Sequence, residues 1–469
     1  MSRFSLIYIG SFLIILSTLS FFNIIYSYYF NLFLTVNSFV ISFVVSLILG
    51  VFLIFFNKIN FKKVLIYEKI ITVLFGYFIF PLIISIPYFL SIYDISFLDC
   101  YFEAISGFTS TGFTIFSNIK LIDQSLILWR SSSQWIGGLY FLFSIILLID
   151  IFDENLKKSV TNYFSFNSKE IFKQSFKIII IYTLLTIVIF IFLKFINLRT
   201  FDAFNFSLTI ISSGGFLSTN NFDSLFRSDL SKIILSILML VSYFSLFFIY
   251  NLFFFKKKNL NYLSEDFYLL IYLLIVISVV FVFFNSDNNF LNILVSISSS
   301  VSNIGISFNN VPSNLSLIFI ILVIIGGSFF STSSGLRVIK VLTLFKFSIN
   351  NLLSHSKPKQ IYLSKISLIN SNTDKSDINK YFLTIIIFII SLFSITLLLT
   401  IFSIEFEKSF KLGVLTIMNT VNSSMYQLGE FEFYNLVPQV KFILILFMII
   451  GRVELLTVLI LLKKFLFKN

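Results

Sequence analysis

Apolar runs of about 20 residues, the length that an α-helix needs to cross a bilayer, recur along the whole chain. Hydrophobic residues make up 57% of the 469 residues and charged residues only 12%, so the surface of a water-soluble protein cannot be built from this composition. The period-2 alternation of an outer-membrane β-barrel is absent from the sequence. The chain is therefore predicted to be an all-α polytopic membrane protein.

About ten of these runs are predicted to be transmembrane helices. They lie at 5–29, 33–56, 65–92, 126–149, 175–197, 232–255, 266–284, 315–346, 380–403 and 438–462. Shorter apolar runs, which are too short to span and too apolar for open loops, are predicted to be re-entrant segments. These runs lie at 97–109, 201–213, 290–302 and 409–425. Arg3 precedes a long apolar run without a small-residue cleavage pattern, which favours a retained first helix over a removed signal peptide.

The distribution of Lys and Arg predicts which loops face the cytoplasm. With the N-terminus inside, the inner segments hold most of the 34 basic residues and fewer than half of the 22 acidic residues. This positive-inside bias predicts that both termini are cytoplasmic. The net charge of +12 then belongs to a surface that faces membrane lipid, and the basic loops lack the motifs of nucleic-acid binding.

Each short run lies on the outer side, between two spanning helices, and is followed by a polar stretch that contains glycine. The stretches are FLDCYFEAISGFTSTGFT (97–114), FDAFNFSLTIISSGGFLST (201–219), FLNILVSISSSVSNIGISF (290–308) and FKLGVLTIMNTVNSSMYQLGEF (410–431). When they are laid over one another, four glycines come into register: Gly112, Gly215, Gly305 and Gly429.

The chain is therefore predicted to consist of a leading helix pair and four repeats of helix, short pore helix, polar loop and helix. The helix pair is assigned to 1–57 and the first two repeats to 58–160 and 161–260. The third repeat, at 261–375, includes a broken second helix and a cytosolic loop, and the fourth is assigned to 376–469.

Loops of this kind can make a path for a cation. Non-helical backbone at membrane depth is tolerated only inside protein or along a wet cavity. Four loops around one axis would present rings of carbonyl oxygens that replace the water around a monovalent cation, and glycine permits the torsions that aim them. The negative C-terminal end of each short helix favours a cation at the same centre. A pseudo-fourfold pore is therefore predicted.

The order of these motifs resembles the TrkH/KtrB/HKT superfamily of potassium transporters over residues 65–469. Further stretches are similar to motifs of the family: WRSSSQWIGGL (129–139), GGSFFSTSSGLRVIKVL (326–342) and GRVELLT (451–457). The leading helix pair resembles the TrkH branch. The resemblance implies that four linked membrane-pore-membrane units in one chain surround a shared pore.

The resemblance implies potassium uptake across the bacterial inner membrane, driven by the membrane potential, with potassium bound at a selectivity filter. A glycine in all four units implies preference for potassium over sodium. The implied ion-lining residues are Ser110, Thr111, Gly112, Phe113, Ser213, Gly214, Gly215, Phe216, Asn303, Ile304, Gly305, Ile306, Gln427, Leu428, Gly429 and Glu430. Glu430 stands where the family has a small or apolar residue, and we expect it at the outer mouth, where it would attract cations.

The resemblance also implies a gate below the filter, formed by an intramembrane loop that blocks the pore. The gating residues that it implies are Gly326, Gly327, Ser331, Thr332, Ser333, Ser334, Gly335 and Arg452. An arginine at mid-membrane costs about 2.5–3.5 kcal/mol on insertion scales, so Arg452 is expected to face the pore side and pair with loop carbonyls or Glu454. The alternatives are a simple helix kink at 326–335 and a purely structural pair of Arg452 and Glu454.

The partners that the resemblance implies are a second copy of the chain, in a homodimer, and a cytosolic nucleotide-binding regulatory subunit of the TrkA/KtrA type. The candidate docking surfaces are 256–258, 340–365 and Lys463–Lys468. No organic cofactor is expected in this chain, and a Walker-type GxxxxGK[ST] motif is absent from the sequence. Acidic residues near the starts of the pore helices are expected to be helix caps and dipole partners: Asp94, Asp99, Glu103 and Asp202.

Other functions stay open on the sequence alone. One is a sodium-coupled or sodium-permeable cation transporter, and another is an alternating-access carrier for a different small solute. Such carriers commonly have inverted repeats, whereas the repeats here are parallel. A membrane-embedded enzyme would need a catalytic cluster at membrane depth, but the single histidine, His355, lies in a cytosolic loop, and Cys100 is the single cysteine. The chain is predicted not to be an enzyme.

Overall fold

Helices make up nearly all of the regular structure in this chain. A computed structural model describes residues 3–55, 65–148, 171–220, 222–254, 264–284, 290–356 and 375–453. Within these ranges the single sheet consists of two strands of two residues each. The predicted all-α fold is confirmed.

The leading helix pair packs side by side and covers the first repeat. The helix α1 spans Arg3–Tyr29 and α2 spans Val36–Phe55. The helices approach closely because both lack a side chain at their crossing: a Cβ on Gly10 would lie 3.0 Å from the carbonyl oxygen of Gly50. The ring of Phe12 on α1 then packs against Tyr140 of the first repeat, at 4.8 Å between ring centroids.

The first repeat has the helix, short helix and helix order that the sequence predicts. Its first helix, α3, spans Ile66–Ile84 and is extended by the short α4, Ile86–Phe89. The pore helix α5 spans Phe97–Phe108, and α6 spans Gln124–Leu147. Almost every residue of α6 is buried, which fits its polar stretch at 129–134 because a helix surrounded by protein need not be apolar.

The second repeat differs from the prediction in its second helix. Its first helix, α7, spans Ile171–Phe195, and its pore helix, α8, spans Thr200–Ile211. The continuous helix predicted at 232–255 is wrong: α9 (Asp229–Met239) and α10 (Leu246–Phe254) are separated by a 3-10 turn at Leu240–Ser242 and irregular backbone. The interruption persists because its backbone groups bind a loop of the third repeat, as described below.

The third repeat contains the predicted break. Its first helix, α11, spans Ser264–Phe284, and its pore helix, α12, spans Phe290–Val301. The second helix is divided into α13 (Ser316–Ile324) and α14 (Val338–Ser356). Between them, β1 (Ile325–Gly326) pairs in parallel with β2 (Leu336–Arg337), so the segment 327–335 projects as a closed loop. We call residues 326–335 the intramembrane loop.

The fourth repeat consists of α15 (Lys375–Ile401), the pore helix α16 (Phe406–Ile417) and α17 (Pro438–Arg452). The predicted span 438–462 continues beyond the described residues, and so does Glu454. The predicted domain boundaries after 57, 160 and 260 also lie outside the described residues, and the division into five units stays a prediction.

Six helices in the described ranges are long and apolar enough to cross a membrane. They are Ser5–Tyr29, Phe33–Phe55, Ile66–Phe89, Gln174–Phe195, Glu265–Phe283 and Ile378–Ile401. Of the remaining predicted spans, those of the second and third repeats are interrupted, α6 carries polar residues, and 438–462 is described only to residue 453. The chain is a multi-pass membrane protein.

Candidate functional site

The four pore helices end in the same way. Each of α5, α8, α12 and α16 is 12 residues long. Two residues after each helix, a non-glycine residue takes the left-handed conformation, which is uncommon and is kept only where the surroundings hold it. These residues are Ser110 (φ 58°), Ser213 (φ 54°), Asn303 (φ 58°) and Asn419 (φ 49°).

The hydrogen bonds at these ends repeat as well. The N–H of Ser110 donates to the carbonyl of Gly107, and the next N–H, of Thr111, donates to the carbonyl of Ser106. This is the pattern of a Schellman cap, which satisfies carbonyls that a helix end leaves free. The N–H groups of Asn419 and Thr420 donate to the carbonyls three and five residues before them in the same manner. The four helix ends are therefore structurally equivalent.

This equivalence corrects the register of the fourth loop. Gly112, Gly215 and Gly305 each lie two residues after the left-handed residue of their loop, and in the fourth loop this position belongs to Val421. The predicted placement of Gln427, Leu428, Gly429 and Glu430 at this level is wrong. The prediction extended the short apolar run to residue 425, whereas α16 ends at Ile417, and a glycine was then aligned where the loop has a valine. A Cβ on Gly429 would instead meet the backbone of Ser424.

The loops after the four helix ends meet at one centre. We call them the helix-end loops: Ser110–Phe113, Ser213–Phe216, Asn303–Ile306 and Asn419–Asn422. A Cβ on Gly112 would lie 3.1 Å from the Cα of Gly215, and a Cβ on Gly215 would lie 2.9 Å from the carbonyl oxygen of Ile304. A Cβ on Gly305 would lie 2.6 Å from the carbonyl oxygen of Val421 in the fourth loop. The Cβ on Gly112 would also lie 3.0 Å from the Cβ of Val421, so the fourth loop contacts the first and the four loops form a ring.

The glycines at this centre are required by conformation as well as by space. Gly112 has φ +83° and Gly305 has φ +81°, in the region where a Cβ is strained. The Cβ that any other residue would add has neighbours within about 3 Å in all three loops. The chain therefore brings together the residues predicted for the first three loops.

A cavity of about 520 Å³ opens above the helix-end loops. Gly112, Gly215 and Val421 contribute to its lining, and Glu430 and Glu432 line it as well. Glu430 therefore lies in the lining of this cavity, and its expected attraction of cations at a pore mouth stays a prediction. We call this space the outer cavity, after the outer side to which the predicted orientation assigns these loops.

The side chain of Gln427 takes part in a different arrangement. Its Oε1 accepts a hydrogen bond from the Nζ of Lys411 at 2.5 Å, and its Nε2 donates to the carbonyl of Ser313. The same Lys411 Nζ lies 2.6 Å from Glu407, and this hydrogen bond lowers the pKa of the Glu407 carboxyl. Gln427 thus ties the start of α16 to the outer loop of the third repeat.

A buried ion pair positions the first helix-end loop. Glu103 on α5 accepts a hydrogen bond from the Nε of Arg130 at 2.8 Å, and both side chains are buried. Glu103 also accepts from the N–H of Ile115 at 2.9 Å and from the hydroxyl of Thr114. The guanidinium of Arg130 lies 4.2 Å from the ring centroid of Phe216, in the second loop. The expected capping role of Glu103 is wrong, because it binds the chain that leaves the loop.

The other acidic residues at the pore helices have similar roles. Asp202, in the first turn of α8, accepts from the hydroxyl of Ser218 at 2.8 Å and so holds the chain after the second loop. Asp99, in the first turn of α5, accepts from Ser96, the capping residue, and pairs with Lys441 of α17 at 2.5 Å. The expectation of a helix-end role therefore holds for Asp99, with a lysine partner that the sequence did not indicate.

The intramembrane loop lies against the helix ends on the side away from the outer cavity. The hydroxyl of Thr332 donates to the carbonyl of Ile211, the last residue of α8, at 2.8 Å. The hydroxyl of Ser334 donates to the Oδ1 of Asn419 at 3.3 Å, and Asn303 binds α13, which leads into the loop, through the carbonyl of Val323. The loop therefore contacts the helix ends of the second and fourth repeats directly.

Arg452 connects this loop to the first helix end. Its Nη1 donates to the carbonyl of Thr332 at 3.0 Å and to the hydroxyl of Ser334 at 2.8 Å. Its Nη2 donates to the hydroxyl of Ser110 at 3.4 Å, and its guanidinium lies 4.2 Å from the ring centroid of Phe141. Arg452 is buried, and its expected orientation toward the pore stays a prediction. Its expected pairing with Glu454 lies outside the described residues.

A second arginine at the loop was missed by the sequence reasoning. The Nη1 of Arg337 donates to the carbonyl of Ser328 at 2.7 Å and to that of Ser333 at 3.2 Å, which fastens the loop to its own base. A basic residue directly after a glycine- and serine-rich break at membrane depth is the signal that could have found it, because such a charge needs a partner there.

The interruption between α9 and α10 was also not predicted from the sequence. It forms hydrogen bonds with the intramembrane loop. The N–H of Ser328 donates to the carbonyl of Tyr243 at 3.0 Å, and the N–H of Leu246 donates to the carbonyl of Phe330 at 2.9 Å. Asp266 binds the other side of the interruption through the N–H and hydroxyl of Ser245. Two irregular segments thus satisfy each other's backbone groups, which removes the cost of exposing them in a membrane.

Known proteins resemble this chain in sequence and in fold, although no family model matches it. An uncharacterized cation transporter of Methanocaldococcus jannaschii is 28% identical over 331 residues, which is 68% of this chain and 66% of that protein. The Trk system potassium uptake protein TrkH of Halomonas elongata is 23% identical over 402 residues, 77% of this chain and 78% of its own. TrkH of Escherichia coli K12 is 23% identical over 389 residues, 78% of this chain and 79% of its own.

A solved structure decides the fold. The crystal structure of the potassium transporter TrkH from Vibrio parahaemolyticus matches with a TM-score of 0.83 over 98% of this chain and 99% of that chain, at 20% sequence identity. The chain is similar to TrkH proteins in sequence and has their fold. The resemblance inferred from the sequence motifs is confirmed. The fourth helix-end loop differs from the sequence prediction, because it has Val421 where the prediction placed a glycine.

Proposed function

We propose that this chain carries potassium ions across the bacterial inner membrane into the cell, through a filter made by its four helix-end loops. The observation that carries the proposal is the convergence of four identically capped helix ends on one centre, where three of the loops have a glycine that lies close to a neighbouring loop. Several relatives are named as Trk system potassium uptake proteins, which supports potassium as the ion and transport rather than catalysis.

The chemistry of the site favours a monovalent cation. Each pore helix directs its C-terminal end, which carries a partial negative charge, toward the shared centre. Backbone carbonyls of the helix-end loops would replace the water around the ion. We assign this role to Ser110–Phe113, Ser213–Phe216 and Asn303–Ile306 as the sequence predicts, and to Asn419–Asn422 in place of Gln427–Glu430.

The driving force in this proposal is the membrane potential. A potential of 100 mV, negative inside, supplies about 2.3 kcal/mol for each positive charge that enters. The excess of Lys and Arg in the inner segments supports an orientation with both termini in the cytoplasm and the outer cavity facing outward.

The proposed gate is the intramembrane loop, held by Arg452. The contacts of Thr332 and Ser334 with the second and fourth helix ends support this role, because they hold the loop against two of the four helix ends. An ion that leaves the filter would have to displace the loop, and the buried charge of Arg452 would repel it electrostatically.

The proposed partners are a second copy of the chain and a cytosolic regulatory subunit of the TrkA/KtrA type. The relatives named as parts of a Trk system support this context, among them TrkI of Halomonas elongata, 38% identical over 55 residues that cover 12% of this chain and 11% of that protein. Of the candidate docking surfaces, 256–258, 357–365 and Lys463–Lys468 lie outside the described residues.

A second candidate function is transport that admits sodium, and Val421 favours it. The resemblance implies potassium preference for chains with a glycine in all four units, and this chain has a glycine in three. Rubidium uptake measured at rising external sodium separates the two candidates. In a sodium-permeable pathway, sodium would inhibit rubidium uptake at concentrations similar to that of rubidium, whereas in a potassium-selective pathway it would not.

The experiment that tests the proposed function is growth rescue. We expect the full chain, expressed in a bacterium that lacks its potassium uptake systems, to restore growth at low external potassium. A chain that reaches the membrane in normal amounts and leaves growth unchanged, with or without a co-expressed regulatory subunit, would contradict the proposal.

A further inference from the structure

Val421 places a branched apolar side chain where the other three helix-end loops have glycine. Its two methyl groups point toward two different loops: a Cβ on Gly112 would lie 3.1 Å from its Cγ2, and a Cβ on Gly215 would lie 2.6 Å from its Cγ1. The side chain therefore lies between the glycines of the first and second loops, at the centre where the loops meet.

The same side chain lies at the floor of the outer cavity. Val421 lines this cavity together with Gly112 and Gly215, and 9% of its surface remains exposed. An ion that passes from the outer cavity into the ring of loops therefore has to pass this side chain. The surrounding loops give it little room, because Gly215 and Gly305 are both in close contact with residue 421.

The chemistry of valine makes this position unlike its three counterparts. Methyl groups cannot replace the water that surrounds an ion, and apolar constrictions resist the passage of hydrated ions. A β-branched residue also avoids the positive φ that Gly112 and Gly305 adopt, so the loop backbone here cannot take the same torsions. The ring of four helix-end loops is therefore asymmetric in shape and in polarity at the position of Val421.

We propose that the side chain of Val421 is the steric constriction of the ion path and that its size sets the rate of transport. The inference rests on the proposed function, since it concerns the path of the ion that the chain is proposed to carry. It adds a specific residue, outside the predicted filter residues, that limits passage through the filter.

The test is a size series at position 421, measured as rubidium uptake into proteoliposomes that contain purified full-length chain. We expect Val421→Gly to raise the initial rate on the order of tenfold, which corresponds to a barrier lowered by about 1.4 kcal/mol, and Val421→Ala to raise it less. Val421→Leu should lower the rate. The threonine side chain in Val421→Thr has nearly the same shape as valine, so this variant should keep the wild-type rate.

A control separates the constriction from general loosening of the protein. Val437→Gly makes the same chemical change at an exposed position before α17, away from the cavity lining, and should leave the rate unchanged. If Val421→Gly does not yield folded protein, the Val421→Ala and Val421→Leu pair still gives opposite shifts. Equal rates across the series in a protein that transports rubidium would overturn the inference and leave the proposed function intact.

An accessibility measurement compares one variant before and after a thiol reaction, so differences between variants in the amount of folded protein do not affect it. Cys100 is buried, so a cysteine placed by Val421→Cys offers the accessible thiol at the cavity floor. We expect a small positively charged thiol reagent, added from outside, to block rubidium uptake by this variant and to leave the wild type unaffected. Continued uptake after complete modification would overturn the inference. Absence of rubidium uptake in the wild type and in every variant would instead contradict the proposed function.

Discussion

At the scale of single residues, buried charges hold the irregular backbone in place. Arg130, Arg337 and Arg452 are all almost fully buried, and each donates to a loop or to a carboxylate that itself holds a loop. Such groups are costly in a membrane unless they are paired, so their presence indicates that the loops require fixed positions. Predictions at this scale concern the removal of one partner.

For Arg452, we predict that Arg452→Gln raises ion uptake in the absence of any regulatory partner. Hydrogen bonds to charged groups contribute about 1.5–3 kcal/mol each. Losing those to Thr332 and Ser334 should therefore increase the population of the displaced intramembrane loop by a factor of about ten or more. Rubidium uptake into proteoliposomes measures the effect. Arg227→Gln is the matched control, since Arg227 is exposed in the segment before α9. Unchanged flux in Arg452→Gln would remove the gating role.

For Glu103, we predict that Glu103→Gln lowers the thermal stability of the purified protein. Breaking a buried ion pair costs about 3–5 kcal/mol because the remaining charge, on Arg130, is left buried and uncompensated. The melting temperature in detergent measures the loss. Glu405→Gln serves as the control, since Glu405 pairs with Lys408 at the surface and its removal costs at most about 1 kcal/mol. Equal melting temperatures for the two variants would contradict the role assigned to Glu103.

At the scale of elements, the pore helices were predictable and the second helices of two repeats were not. The apolar runs at 97–109, 201–213 and 290–302 end within a residue or two of α5, α8 and α12. The fourth run was misleading because Val421 and Met425, which are buried apolar residues of a loop, extend it past the end of α16. The interruption at 240–245 carries neither glycine nor proline, and it is stabilised by contacts with a distant loop that no local pattern reveals.

The corrected register leads to a prediction about two glycines. Gly112→Ser should admit sodium, because a side chain at φ +83° and 3.0 Å from the Cβ of Val421 forces the first helix-end loop to shift its carbonyls. Gly429→Ser should leave ion discrimination unchanged, because Gly429 is exposed and lies outside the ring. Rubidium uptake in competition with sodium measures both. If Gly429→Ser admitted sodium and Gly112→Ser did not, Gly429 would belong to the filter and the placement of Val421 there would be wrong.

At the scale of the whole molecule, the sequence was sufficient to predict the resemblance to Trk proteins, the membrane fold and three of the four helix-end loops. It did so because periodic apolar runs and glycine at strained positions are local signals with direct physical causes. The intramembrane loop was recognisable for the same reason. The contacts that make these parts one site, such as Arg337 with Ser328 or Asp99 with Lys441, depend on packing between distant segments and could not be predicted from composition or spacing.

The central claim is that four helix-end loops of one chain form a path for potassium driven by the membrane potential. Rubidium uptake into proteoliposomes that contain only this chain, with an imposed inside-negative potential and with the potential then abolished, tests it most directly. We predict uptake that requires the potential and is suppressed by external potassium at lower concentrations than by sodium. Folded, reconstituted protein that shows no potential-dependent uptake, even with Arg452→Gln to release the intramembrane loop, would contradict the account.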